Sequence, residues 1–498
     1  MALRIYNSLT NKKEEFRPIE DREVKMYVCG VTVYDKCHIG HARGAFVFDV
    51  IRRYLQYRGY EVKYVRNITD IDDKIINKAR ELTKSSKDKS LNEAVKEITD
   101  KYIKKYYKDM DALGIEKADI EPKATEHIHD MINMVEVLLD KGYAYKANGD
   151  VYFSVKKFKK YGKLSNQSME QLRTGVRKAP DEKKRDPLDF ALWKESKEDE
   201  PKWKSPYSEG RPGWHLECSV MSMKYLGENF DIHGGGRDLI FPHHENEIAQ
   251  AESYSGKPFA NYWIHNELLT IKGQKMAKSL GNFISISKIL EKYHPEVLKI
   301  LFLSSHYGSP IDFSFDKMEE AKAKRERFYI LFDKIEDIKE EASKRQGQET
   351  VAHSLEVANR LKRYLKKIEE TREEFVEAMD DDFNTPGALS ALYKLVNTAN
   401  KFMTDEAIPL ERKSAILNSV KFTLVELGRV LGLFQKKKMS KKDEDGELLN
   451  KVMEIVINLR QKARQEKNFK IADDIRKKLG DIGIILEDQK EKTIWRKR

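Results

Sequence analysis

Val24-Lys25-Met26-Tyr27-Val28-Cys29 is a short apolar-rich run, and Gly30-Val31-Thr32-Val33-Tyr34-Asp35-Lys36-Cys37-His38-Ile39-Gly40-His41 follows it directly. The run reads as a buried strand and residues 30–36 as a loop. Ala42, Ala45, Phe46, Val50, Ile51, Tyr54 and Leu55 then recur at helical spacing up to Gly59, and a second strand is predicted over 60–68. Strand, loop, helix, strand is a βαβ unit. Such a unit crosses over right-handed and builds a parallel sheet whose ligand site lies at the carboxyl ends of the strands. Residues 30–41 occupy that edge.

Downstream, residues from about 115 to 210 lose the βα rhythm and become rich in Lys, Glu, Asp and Pro, as an insertion would. Features of the first domain return near Trp214. Asp231-Ile232-His233-Gly234-Gly235-Gly236 reads as a strand end and turn, Pro242 is expected to start a helix through Glu252, and Trp263-Ile264-His265 is a further strand candidate. Long amphipathic patterns from Phe315 to Phe434, broken at Asp382-Phe383-Asn384-Thr385-Pro386-Gly387, predict a helical bundle. Residues 435–446 read as a charged linker, followed by one or two short helices ending near Gly480 and an extended tail through Ile484-Ile485-Leu486 and Trp495.

The 498 residues suffice for roughly three domains. No apolar run approaches the ~18 residues of a membrane span, so a soluble chain without a leader is expected. Three cysteines, Cys29, Cys37 and Cys218, argue against a disulfide framework and for a reducing compartment. Residues 435–498 hold 19 Lys/Arg against 12 Asp/Glu, so most of the +11 net charge sits in this tail, a pattern suited to a polyanionic partner.

Three clusters carry chemistry. His38-Ile39-Gly40-His41 stands where the first helix begins, and a helix start offers free N–H groups and positive potential to a phosphate. Gly40 lets a nucleotide approach the backbone closely. Lys275-Met276-Ala277-Lys278-Ser279, between Gly273 and Gly281, reads as a loop whose two lysines can close on a triphosphate. The third cluster resembles a metal site. His243 with Glu247 at i and i+4, or His244 with Glu247 at i and i+3, share a helix face, and Cys29 and Cys218 complete a sulfur, sulfur, nitrogen, oxygen set suited to zinc. Thr69 or Asp70 is expected to cap a helix or to touch substrate. Trp214 and His233 read either as core or as site residues, and Cys37 as a bystander. No Walker or dinucleotide glycine motif occurs, which counts against a Walker-type ATPase or an ordinary dinucleotide dehydrogenase.

Taken together and in order, these elements resemble the class I aminoacyl-tRNA synthetases, and within them the cysteinyl-tRNA synthetase family. The HIGH element matches His38 to His41, and the KMSKS loop matches Lys275 to Ser279. The run from Asn67 to Lys74, Trp214-His215-Leu216-Glu217-Cys218-Ser219, His233 to Gly236, Pro242 to Glu247, Met379 to Pro386 and Thr493-Ile494-Trp495-Arg496 carry the likeness over nearly the whole chain. Two departures stand out. The loop has Ala277 where the motif has serine, and His41 completes a HIGH element whose second histidine the family often replaces with Asn.

The resemblance implies an α/β fold: a Rossmann-type parallel-sheet catalytic domain with an insertion, then an α-helical bundle and a small C-terminal anticodon-binding domain. It places the first catalytic half at 1–115, the insertion at 116–210, the second half with the zinc ligands at 211–270, the KMSKS-type loop and stem-contact region at 271–315, the bundle at 316–435 and the anticodon domain at 447–498. It implies ligation of L-cysteine to its tRNA through cysteinyl-adenylate, with Mg²⁺ accompanying ATP, in a cytoplasmic monomer with no membrane role. His38, His41, Lys275 and Lys278 would be catalytic, and with Gly40 and Ser279 would bind ATP. Cys29, Cys218, His243 and Glu247 would hold one Zn²⁺, while Thr32, Thr69, Trp214 and His233 would line the amino-acid pocket. Arg464, Asp473, Asp488 and Trp495 would face the anticodon, with Phe469 standing where the family often has Trp.

Overall fold

A computed structural model describes residues 2–85, 89–174, 183–276, 281–344, 355–435, 441–466, 468–481, 484–488 and 493–497. An antiparallel ribbon, β1 (Arg4–Asn7) and β2 (Lys12–Glu15), precedes the decisive unit: β3 (Glu23–Thr32), α1 (Ile39–Tyr57) and β4 (Glu61–Thr69). Strands β3 and β4 pair in parallel, as the βαβ reading requires. Helix α1 starts three residues before its first predicted apolar position because the His38 side chain accepts the Gly40 and His41 N–H groups and so caps it.

After α2 (Asp73–Ser85) and α3 (Leu91–Leu113), the chain leaves the sheet. Helices α4 (Ile128–Asp140) and α5 (Met169–Thr174) accompany a separate antiparallel five-stranded sheet of β5 (Ala144–Ala147), β6 (Asp150–Phe153), β7 (Phe190–Glu195), β8 (Trp203–Lys204) and β9 (Glu209–Pro212). The chain then returns through α6 (Trp214–Leu226), β10 (Phe230–Gly236), α7 (Glu245–Ser255) and β11 (Ala260–Asn266). The parallel sheet has the order β11-β10-β3-β4. Strand order therefore reverses between β3 and β10, the crevice where parallel sheets bind ligands. Side chains of β3 alternate between two cores: Val24, Met26 and Val28 pack with Phe46 and Ile51 of α1, and Tyr27 packs with Val65, Leu216 and Trp263.

The helix expected from Pro242 begins only at Glu245. Phe241 is extended (φ −133°, ψ 131°), since a residue before proline is pushed out of the helical region, and His243 and His244 lie in the distorted turn ahead of α7.

Strands β12 (Leu269–Ile271) and β13 (Gln274–Lys275) form a hairpin, followed by α8 (Ile286–Leu290), α9 (Pro295–Leu303) and β14 (Ile311–Asp312), which pairs in parallel with β12. Helices α10 (Phe315–Lys344), α11 (Leu355–Asp380), α12 (Thr385–Met403) and α13 (Leu410–Val430) make the bundle, whose Phe328, Phe375, Leu392 and Leu424 continue the core under α1.

Contacts group the chain into two units, Met1–Phe434 and Gln435–Arg498. The second comprises α14 (Lys441–Gln465), α15 (Phe469–Asp481) and an antiparallel pair, β15 (Ile484–Asp488) and β16 (Thr493–Lys497), around Met453, Ile484 and Leu486. The linker expected through residue 446 is thus shorter, because helix begins at Lys441. At 25 residues α14 is also not the short helix predicted.

Candidate metal centre and nucleotide edge

Strand β3 breaks register with β4 between Val28 and Val31, and this irregularity presents Cys29 at the carboxyl edge. Gly30 is required there: a Cβ at this position would lie 1.6 Å from the Asn67 carbonyl oxygen. Asn67 Oδ1 accepts the Gly30 N–H at 2.8 Å and stands 3.7 Å from Cys218 Sγ. Cys218 comes from α6 and is buried, as are His243 and Glu247.

Donor atoms of Cys29, Cys218, His243 and Glu247 all lie within 4.8 Å of one another. The two sulfurs are 3.6 Å apart, Cys29 Sγ is 3.3 Å from Glu247 Oε1, and His243 Nε2 is 3.0 Å from the same oxygen. A tetrahedral zinc with bonds of ~2.3 Å to sulfur and ~2.1 Å to nitrogen or oxygen would separate its ligands by roughly 3.3–3.8 Å. The four side chains therefore fit that ion in size as well as in donor chemistry.

Their orientation is set from behind. His215 Nδ1 contacts His243 Nδ1 at 2.8 Å, which turns His243 Nε2 toward the sulfurs, and His233 Nε2 holds Glu247 Oε2 at 2.8 Å, leaving Oε1 for the centre. Cys29, His233, His244 and Glu247 form a second, overlapping foursome. In that set His233 Nε2 is already committed to Glu247, His244 Nδ1 is bound to His265 Nε2 at 2.8 Å, and His244 Nε2 lies 4.0 Å from Glu247. His243 Nε2 is therefore the nearer of the two to Glu247 Oε1, at 3.0 Å against 4.0 Å. Burial pushes the Cys29 thiol well up. For Cys218 burial acts in the same direction, but hydrogen bonds from Cys29 and His243 outweigh it and hold this thiol down at about 7.

The pocket candidates surround this cluster. Trp214 stacks on His243 with centroids 4.1 Å apart and stays 40% exposed, so it forms a wall open on one side. His233 is fully buried under Trp263, and Thr32 is half-buried at the end of β3. Thr69 donates to Glu217 Oε2 at 3.0 Å. Neither Thr69 nor Asp70 caps α2: Asp70 accepts from the Thr125 backbone and hydroxyl, and Asp72 accepts the Lys74 N–H instead. Cys37 is packed in the core.

At the start of α1 two histidines share one task. His38 Nδ1 accepts the Gly40 and His41 N–H groups at 3.0 and 3.3 Å, while His41 Nδ1 accepts the His38 N–H at 3.3 Å. Both rings therefore carry their proton on Nε2 and stack 3.8 Å apart. Burial, then the charge of Lys275, pushes His38 down to about 4, so it is neutral near pH 7. A Cβ on Gly40 would meet the His38 ring at 2.8 Å, which fixes glycine there.

Lys275 projects from the hairpin and pairs with Asp238 at 2.6 Å. Lys278 and Ser279 lie outside the described residues. Beyond them the chain returns to the histidines, with Ile284 O accepting the Ile39 N–H and the Phe283 ring set edge-on to His38. In the second unit Arg464 and Asp473 are exposed on α14 and α15 and Asp488 ends β15, whereas half-buried Trp495 packs on the small core. Asn67, His215 and Glu217 lay within the quoted motifs without an assigned role; their signal was adjacency to cluster residues, visible only once β4 and α6 met.

Residues 15–323 match the family described as tRNA synthetases class I (C) catalytic domain, 374–435 the DALR domain and 454–496 the Cysteinyl-tRNA ligase anticodon binding domain. The chain is 50% identical to a cysteine–tRNA ligase of Thermodesulfovibrio yellowstonii over 99% of both chains, and 50% identical to one of Sulfurihydrogenibium over the full length of both. Among solved structures it is similar in fold to Mycobacterium tuberculosis methionyl-tRNA synthetase in complex with methionyl-adenylate (TM-score 0.61, 14% identity, 82% of this chain and 90% of that one). A putative arginyl-tRNA synthetase from Campylobacter jejuni gives a TM-score of 0.57 at 15% identity over 84% and 94%.

Proposed function

The chain belongs to the cysteine–tRNA ligase family of class I aminoacyl-tRNA synthetases, and from that premise we propose that it charges tRNA with L-cysteine in two steps at the β3–β10 crevice. The cysteine carboxylate attacks the α-phosphorus of ATP and pyrophosphate leaves; a ribose hydroxyl of the terminal adenosine of the tRNA then attacks the adenylate's carbonyl carbon, taking the cysteinyl group as AMP leaves. The observation that carries this reading is the convergence of two sulfurs, an imidazole and a carboxylate beside a helix start capped by two histidines.

Cys29, Cys218, His243 and Glu247 would hold Zn²⁺, which when bound accepts a thiolate far better than a hydroxyl. Discrimination of cysteine from serine by ~10⁴ needs about 5.4 kcal/mol, beyond the ~1–3 kcal/mol an apolar pocket draws from one small group. Trp214 and His233 bound the pocket, and Thr32 and Thr69 stand at the strand ends where the amino-acid backbone would sit. Asn67 holds Gly30 and faces Cys218, so the sulfur ligands keep their spacing.

For the nucleotide, the Nε2–H groups of His38 and His41 are uncharged donors aimed outward, suited to phosphate oxygens, and Gly40 leaves room beside them. Lys275, released from Asp238, and Lys278 with Ser279 would neutralise charge gathering on the departing pyrophosphate, with Mg²⁺ as the counter-ion of ATP. The bundle and the C-terminal unit would take the tRNA, with Arg464, Asp473, Asp488 and Trp495 toward the anticodon, in a cytoplasmic monomer. No described helix is long and apolar enough to cross a membrane.

The test is Cys218→Ser, read by bound zinc per chain and by ATP–pyrophosphate exchange with cysteine and with serine. Zinc should fall well below one per chain and the preference for cysteine from ~10⁴ toward ~10. Undiminished selectivity in a zinc-depleted variant overturns the reading.

A further inference from the structure

Arg43, on α1 two residues beyond His41, is 1% exposed, yet among the described residues its guanidinium has no carboxylate within hydrogen-bond distance. It is solvated by main-chain carbonyls from two separate segments. Nη1 donates to Glu267 and Leu268 at 2.8 and 2.9 Å; Nη2 donates to Ser309 at 2.5 Å and to His306 and Tyr307 at 3.4 Å. The first segment enters β12 and the second enters β14, and these strands pair from Leu269 with Ile311 onward. One side chain of α1 thus gathers the roots of both strands. A planar fork of donors suits this task, and a flexible ammonium does not.

The strands transmit that placement to Lys275. Asp312 of β14 accepts the Thr270 hydroxyl at 2.8 Å and the Gly273 N–H at 2.9 Å, so it closes the hairpin turn, in which Lys272 and Gly273 both have positive φ. Thr270 faces Lys275 across the hairpin. The far side of the 306–309 loop is fixed as well: the Tyr307 hydroxyl donates to Asp382 Oδ1 at 2.6 Å, and His306 Nε2 meets the Asp382 carbonyl at 2.8 Å. Asp382 and Phe383 take left-handed backbone (φ 63° and 52°) between α11 and α12, a costly conformation that persists where its surroundings demand it.

We propose that Arg43 is a positioning residue for adenylate formation, holding the hairpin that presents Lys275 in register with the helix that presents His38 and His41. It acts through Lys275 and touches no substrate. The inference rests on Lys275 being a catalytic lysine, as read above.

A double-mutant cycle tests it, with ATP–pyrophosphate exchange measured per zinc-loaded site. Arg43→Lys keeps the charge but cannot reach both segments, so kcat should drop about 30-fold, within the ~10²-fold that a 1 Å misplacement costs, while KM for cysteine changes less than about twofold. Lys275→Ala should cost about 100-fold or more, and the double variant should be no slower than Lys275→Ala to within about threefold. A purely structural arginine would multiply its loss onto that of Lys275→Ala, or lower only the count of active sites; either result overturns the proposal. Tyr307→Phe frees the same loop by removing one hydrogen bond to buried Asp382 and leaves Arg43 intact, and it carries the cycle if Arg43→Lys does not fold. It should lose about fivefold alone and nothing further beside Lys275→Ala, and a full independent loss or no loss overturns the proposal. Unchanged exchange in Lys275→Ala alone removes the catalytic lysine, and the role of Arg43 with it.

Discussion

Replacing Gly30 with Ala adds one methyl group between two parallel strands beside the proposed zinc ligands. The new Cβ would lie 1.6 Å from the Asn67 oxygen and 2.7 Å from its carbon, both main-chain atoms of β4. To reach ordinary contact, the strands must part by roughly 1.8 Å at this point. Cys29 is the preceding residue, and Asn67 Oδ1 both accepts the Gly30 N–H and borders Cys218, so the displacement falls on two of the four ligands. Overpacking of this kind costs about 3 kcal/mol. Unit Met1–Phe434, at ~2.1 cal/mol/K per residue, has an unfolding entropy of about 0.9 kcal/mol/K, so its midpoint should fall by only about 3 °C. The metal is the more sensitive reporter: a shift in the support of two ligands should weaken zinc binding about 10- to 100-fold. Competition with a chromophoric chelator measures this, and calorimetry supplies the midpoint. Wild-type zinc affinity together with a wild-type midpoint would refute the placement of β3 against β4 and the coupling of that contact to the metal.

The nucleotide edge gives a pH prediction. A histidine held below its ordinary value stabilises the fold fully above pH 6.5 and loses that contribution as pH falls through its folded value, for His38 about 4. Exchange at saturating substrates should therefore show no inflection assignable to His38 between pH 8 and about 5.5, and an inflection near 6.5 that disappears in His38→Asn would contradict the capping geometry. Truncation after Phe434 should spare adenylate formation and raise the KM for tRNA, with exchange and charging assayed side by side; loss of both activities would show the tail to be structural.

Local sequence carried much of the fold. Val24 to Cys29, the helical spacing after His38 and the apolar run before Thr69 announced a parallel βαβ unit, because apolar periodicity and chain direction are short-range properties. The same held for the bundle and for the placement of the histidine pair at a helix start; their mutual capping, within the single turn from His38 to His41, emerged only from the fold. Even here local rules competed: Pro242 suggested a helix start, but its effect on Phe241 delayed the helix to Glu245.

The metal centre was legible only as a set of suitable residue types. Cys29 stands 189 residues from Cys218 and 218 from Glu247, and no periodicity relates positions so far apart. Pairing of β3 with β10 brings them together, and what separates the two histidines is distance: His243 Nε2 lies 3.0 Å from Glu247 Oε1, His244 Nε2 4.0 Å. Arg43 illustrates the remainder. In sequence it is one more arginine on an amphipathic helix; in the fold it is a buried cation, because the carbonyls of two distant strand roots, converging only through β12 and β14, replace the water it gives up. Sequence determined which chemical groups this protein owns and the elements that bear them, while the distances on which binding depends were decided by non-local packing, since coordination and hydrogen bonding act over a few ångströms of space and not along the chain.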